Sequence, residues 1–230
     1  MLFFDPMYML FMIPAFILMG ITSWYVRASY NKWSKIRATS GLTGAQAASR
    51  LISTGNLYGV QVAGTQGQLS DHYDPRNKTL FLSQGVHNSP SVAAVAIAAH
   101  ELGHAMQDAE EYFPMKIRSA LVPAVSIGSN LGWILIMVGL FLRVTELAWL
   151  GVLVFSGGAL FALATLPVEF NASARAKELL YSTGIIQTED ERRGVNTVLN
   201  AAALTYVAGL ITAVLQLLYF VFLVGGRRRN

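Results

Sequence analysis

Four long apolar runs divide the chain. Residues 7–26, 121–142, 147–166 and 203–224 carry no Asp, Glu, Lys or Arg. About 20 such residues make a helix long enough to span a bilayer, so four transmembrane helices are predicted. Pro14 is placed to kink the first. A cleaved leader is the alternative for that segment, but it would want a basic start, and the first charge is Asp5. An uncleaved span is therefore expected. Only Arg143-Val144-Thr145-Glu146 separates the second run from the third, so those two helices form a tight hairpin.

The polar stretches between the runs carry shorter patterns. From Thr43 to about Ser53, Ala45, Ala48, Leu51 and Ile52 recur at helical spacing, and Gly55-Asn56 is a helix-ending pair. Val60–Ala63, Leu69–Tyr73 and Thr79–Ser83 read as short strands, with a turn at Asp74-Pro75-Arg76-Asn77. Ser89-Pro90 reads as cap and first residue of a helix, which continues through the apolar run 91–99. The order is helix, three-strand antiparallel meander, helix. Residues 167–202 are polar again and helical from Val168 to Tyr181. There is no internal repeat.

Composition supports this division. The chain is 53% hydrophobic and 13% charged, about half the charged share usual in soluble domains. With no cysteine, disulfides, iron–sulfur clusters and Cys-zinc sites are excluded, so any metal must use His, Asp or Glu. The net charge of +4 comes from basic residues beside apolar runs, a membrane-flanking pattern rather than a nucleic-acid surface.

Candidate chemistry centres on His100-Glu101-Leu102-Gly103-His104. Helix positions four apart share a face, one turn apart, so both imidazoles can reach one ion. Zinc accepts such ligands. Glu101 falls beside the ion rather than on it, placed to take a proton from an activated water. His-Glu-x-x-His on a helix is the zinc-hydrolase motif. Gly103 is a poor helix former, and a small residue there lets something approach the helix closely.

Two histidines do not complete a catalytic site, which usually has three protein ligands and an open position. His72, on or near a strand, and His87, in a loop before the helix, read as surface residues. Glu169, in Leu166-Pro167-Val168-Glu169-Phe170-Asn171-Ala172-Ser173-Ala174-Arg175, is the better candidate. The hairpin leaves the motif helix and returns, which can bring Glu169 beside His100 and His104. A helix-start glutamate favouring the dipole is its bland alternative.

The motif, the hairpin, the Glu-Phe-Asn-Ala segment and the Asp-His-Tyr-Asp-Pro…Leu-Phe-Leu-Ser segment together resemble the YugP-like bacterial integral-membrane neutral zinc metallopeptidases. More distantly they are similar to the HtpX and CAAX-prenyl-protease gluzincins. The resemblance covers nearly the whole chain. It implies one zinc held by His100, His104 and Glu169, with Glu101 as catalytic base, in a small α+β gluzincin-like domain. The distant group carries an acidic residue four positions after the ligand glutamate; here that position is Ser173. A hydroxyl there can still support a ligand by hydrogen bonding. Asn171 and Arg175 are further supporting candidates, against the reading of an ordinary polar helix face. Thr79, Leu80, Phe81, Leu82 and Ser83 are expected to form an edge strand that pairs with an extended substrate.

The expected organisation is an N-terminal span (1–27), a metallopeptidase portion (28–120), a transmembrane hairpin (121–166), a second catalytic helix region (167–202), and a last span with a basic tail (203–230). Four crossings put 28–120 and 167–202 on one side. With Arg27 these segments hold 13 of the 17 Lys and Arg, so the positive-inside rule assigns that side, and the active site, to the cytoplasm; the family resemblance implies that the membrane is that of a bacterial cell. Arg227, Arg228 and Arg229 oppose that assignment if the fourth run crosses fully; a re-entrant or interfacial last segment would remove the conflict. The expected activity is hydrolysis of peptide bonds in membrane-associated proteins or peptides near the bilayer, with membrane-protein partners or self-association open. An inactive membrane scaffold retaining a structural metal site is the alternative. A transporter is disfavoured because the spans hold no Asp, Glu, Lys, Arg or His.

Overall fold

The computed structural model describes residues 5–226, so the arginines of the tail lie outside the described residues. In chain order the elements are α1 (Pro6–Trp33), α2 (Gly44–Thr54), β1 (Gln61–Thr65), β2 (His72–Asp74), β3 (Thr79–Ser83), α3 (Gln84–His87), α4 (Val92–Ala109), α5 (Phe113–Leu142), α6 (Thr145–Ser182) and α7 (Glu189–Gly226). The protein is mainly α, and α1, α5, α6 and α7 are long and apolar enough to cross a membrane. Each outruns its predicted span: α6 continues through Pro167 into the segment that carries Glu169.

The chain divides into two compact units. One comprises residues up to Thr22, Phe113–Pro167 and the residues from Thr205 on; the other comprises Ser23–Tyr112 and Val168–Leu204. In the first, α5 and α6 approach so closely that no side chain fits at Gly139 or Gly151. A Cβ on Gly139 would lie 2.4 Å from the Ala148 nitrogen, and one on Gly151 would lie 2.5 Å from the Ile136 nitrogen. Lipid tails supply no hydrophobic drive between helices, so small residues that let backbones meet supply the packing. Arg143 takes the left-handed conformation (φ 58°) in the connection. The buried Tyr219 of α7 donates its hydroxyl to the Asp5 carboxylate, which also accepts from the Met7 N–H at the start of α1.

In the second unit α4 is the centre. Thirteen of its 18 residues are buried, among apolar side chains of α2, β3, α3, α6 and α7. Its start differs from the expected Ser89-Pro90. The cap is Ser91, whose side chain accepts from the Ala94 N–H. The reason is tertiary. Residues 89–91 run extended beside 36–38: the Ala38 N–H bonds the Pro90 carbonyl, and Arg37 bridges Ser91. The Val92 N–H goes to the Ile36 carbonyl. With these groups already paired, the helix starts two residues later than the local pattern indicates. For α2 the expected ends hold. Thr43 and Gln46 form a capping box, and Gly55 follows the last turn.

The three strands are present, but the expected meander is corrected. Their order is β1-β3-β2, with β3 parallel to β1 and antiparallel to β2. Burial explains it. In β3, Thr79, Leu80, Leu82 and Ser83 are buried, so the apolar strand takes the middle. The shorter and more polar β2 (His-Tyr-Asp) takes an edge, as does β1. Both sides of β3 are therefore paired, and Thr79–Ser83 offers no edge to a substrate strand. The unpaired edges belong to β1 and β2.

Candidate metal centre

His100 and His104 project from one face of α4 toward Glu169 on α6, all within the second unit. The approach depends on Gly103. A Cβ there would lie 2.5 Å from the Ala172 carbonyl oxygen and 3.0 Å from its Cα, so only glycine lets α6 lie this close. Small residues on α6 complete the contact: Ala172, Ser173 and Ala176 are buried.

The three donors converge. One Glu169 carboxylate oxygen lies 3.3 Å from His100 Nε2 and 3.6 Å from His104 Nε2. The three ligand atoms all lie within 4.8 Å of one another, and among the described residues this is the one such group of His, Asp and Glu. Donors around a tetrahedral ion with bonds of about 2.0–2.1 Å stand roughly 3.3–3.5 Å apart. The two separations from Glu169 are close to that spacing, and two imidazole nitrogens with a carboxylate oxygen are a donor set that zinc accepts.

Surroundings orient both histidines. His104 Nδ1 lies 3.0 Å from Gln107 Oε1, and His100 Nδ1 lies 3.2 Å from Ser173 Oγ. Burial would push the Glu169 carboxyl up, but hydrogen bonding and charge from His100 and His104 outweigh it and hold the group well below the usual carboxylate range. Glu101 is buried beside the pair. Desolvation raises its pKa, the two imidazoles oppose that rise, and Glu169 and Asp71 add to it.

The other predicted residues separate into those near the cluster and those away from it. Asn171 and Arg175 join it indirectly. Arg175 Nε donates to Asn171 Oδ1 at 2.8 Å, and the guanidinium grips the Glu110 carboxylate with two bonds of 2.7 Å. His72, on β2, stacks on Phe81 and bonds the Ser70 carbonyl. His87 ends α3 rather than standing in a loop, and bonds Asn88. Neither joins the cluster. Sequence reasoning missed Gln107. Its position three residues after His104 puts it on the same helix face, a signal that was readable but weak without knowledge that the side chain is buried.

The comparisons with known proteins point to a zinc peptidase as well. A family described as "putative neutral zinc metallopeptidase" matches residues 8–225. The chain belongs to this neutral zinc metallopeptidase family. It is 41% identical over 226 residues to "putative membrane protease YugP" of Bacillus subtilis (strain 168), covering 96% of this chain and all of the relative. No solved structure matches. For this member of the family, the His100–His104–Glu169 cluster is the candidate zinc centre, and four apolar helices fit insertion in a membrane.

Proposed function

We propose that this chain is a zinc-dependent membrane endopeptidase, with His100, His104 and Glu169 as ligands and Glu101 as general base. The observation that carries the reading is the convergence of Glu169 on the two motif histidines, with Glu101 buried next to them.

Zinc bound there would polarise the scissile carbonyl and lower the pKa of a water toward about 7. The protein supplies the rest. Glu101 accepts the proton of the attacking water and delivers it to the leaving amine. Its partly apolar surroundings suit it to hold that proton between the two steps. Ser173 bonds the ring of His100 and steadies it. Asn171 and Arg175 support the α6 side of the site.

Substrates are proteins or peptides associated with the membrane. Support comes from chain continuity, since Glu169 follows the apolar run 147–166 by three residues in the same helix, about 4.5 Å along the axis. The relative from Bacillus subtilis supports a bacterial cell membrane, and the distribution of Lys and Arg favours the site on its cytoplasmic side.

The deciding experiment is metal analysis of detergent-purified protein beside Glu169→Ala. The expected result is about one zinc per wild-type chain, mostly lost in the variant. Zinc retained by Glu169→Ala would remove that ligand from the site. A wild-type chain that takes no zinc when zinc is supplied would overturn the enzyme reading.

A further inference from the structure

Gln107 has no assigned role, yet its side chain is fully buried and fully engaged. Its amide nitrogen donates to the Val168 carbonyl at 2.8 Å and to Asn171 Oδ1 at 2.9 Å. Its amide oxygen faces His104 Nδ1 at 3.0 Å. The direction of these bonds can be derived from the far end. Arginine has donors and no acceptor, so Arg175 Nε must meet the oxygen of Asn171, and the Glu110 carboxylate anchors that guanidinium. The Asn171 oxygen and the Val168 carbonyl both accept, so Gln107 must present its NH2 to them. A flipped amide would set oxygen against two oxygens. The Gln107 oxygen is thereby turned toward His104, which must carry its proton on Nδ1. In the neutral ring the Nε2 lone pair is then the one left for a metal ion shared with Glu169.

His100 differs. Its outer partner, the Ser173 hydroxyl, can donate or accept, and so selects neither tautomer.

We infer that Gln107 is a positioning residue that commits His104 to its Nδ1–H tautomer, with the chain Glu110–Arg175–Asn171 setting the direction of the Gln107 amide. Glu110, Arg175 and Asn171 thereby act on the metal centre through His104. This rests on the zinc reading above.

The test compares zinc affinity, by chelator competition, in wild type, Gln107→Leu and Gln107→Glu, with thermal unfolding of the metal-free proteins in parallel. Outer partners of metal-bound histidines are typically worth about 10–100-fold in affinity, and Gln107→Leu is expected to lose that much. Gln107→Glu keeps an acceptor for Nδ1–H but sets its second oxygen against the Val168 carbonyl and Asn171 Oδ1, so it is expected to unfold at a lower temperature than wild type and still to hold zinc about tenfold more tightly than Gln107→Leu. The visible spectrum of the cobalt-substituted protein should change in Gln107→Leu and be preserved in Gln107→Glu. Equal loss of zinc affinity in both variants would make Gln107 a mere tether between α4 and α6 and overturn the inference. Wild-type affinity in Gln107→Leu would do the same. If Gln107→Leu fails to fold, Gln107→Met, which fills the space without an amide oxygen, reads the same difference. Absence of zinc from the wild type would instead defeat the reading on which this one rests.

Discussion

At the residue scale, the roles proposed for Glu101 and for the two motif histidines can be separated. Glu101→Gln keeps the shape of the side chain and removes its basicity. Its expected outcome is full zinc content with peptide cleavage reduced by about 10²–10⁴-fold, read from metal analysis and a proteolysis assay on one preparation. Zinc-replete Glu101→Gln protein that still cleaves at the wild-type rate would end the general-base assignment. The motif itself was legible because helical spacing alone brings His100 and His104 to one face. Gln107 was not legible in the same way. A glutamine one turn further on is ordinary on a solvated helix, and its role depends on Val168 and Asn171, more than sixty residues away in sequence.

At the element scale, two junctions hold the second unit. The first is the α4–α6 approach at Gly103. Gly103→Ala would improve helix propensity by up to about 1 kcal/mol, but the new Cβ would strike backbone of α6, which cannot rotate away. Overpacking of this kind typically costs about 1–3 kcal/mol. A lower unfolding temperature together with weaker zinc binding is expected, because moving α6 moves Glu169. Unchanged stability would show that the crossing can relax. The second junction is the start of α7. Glu191 closes a capping box with Thr188, accepting from its N–H while the Thr188 hydroxyl accepts from the Glu191 N–H. The same carboxylate also accepts from the Gln187 and Thr39 amides, tying α7 to the segment after α1.

Burial opposes ionisation of Glu191, but those backbone donors prevail and hold its pKa below the ordinary value. A depressed carboxylate stabilises the fold above its unfolded pKa of about 4.3, and that stabilisation is lost as pH falls through the folded value. Glu191→Gln should therefore destabilise the protein by about 1 kcal/mol near neutral pH, the usual worth of a cap. Its difference from wild type should shrink in acid, below about pH 4. Thermal unfolding across that range checks the sign. A gap that persisted in acid would place the effect outside ionisation.

At the scale of the whole molecule, membrane topology has a direct assay. The chain has no cysteine, so single introduced thiols can be labelled without a background. Tyr58 is 85% exposed, and Tyr58→Cys should react with an impermeant maleimide only when the cytoplasmic face is accessible. A cysteine in place of Asn230 would report the tail, and labelling from the outer face is expected if α7 crosses fully. Labelling of Tyr58→Cys from outside would reverse the assignment made from Lys and Arg.

The sequence by itself determined the four apolar helices, the mainly α class and the α5–α6 hairpin. It also determined the pairing of His100 with His104 and the place of Glu101. All depend on interactions within a few residues, or on the length of an uncharged run set against bilayer thickness. Three things were left to the tertiary structure. One is the mixed order of the sheet, decided by burial of β3 rather than by chain order. Another is the start of α4, delayed because residues 36–38 pair with the segment before it. The last is the closing of the site, where Glu169, Ser173 and Gln107 meet only because Gly103 lets α6 lie against α4. Contacts between distant segments form or fail on volume and hydrogen-bond partners that no local pattern records, and the surroundings of His104 are made of such contacts.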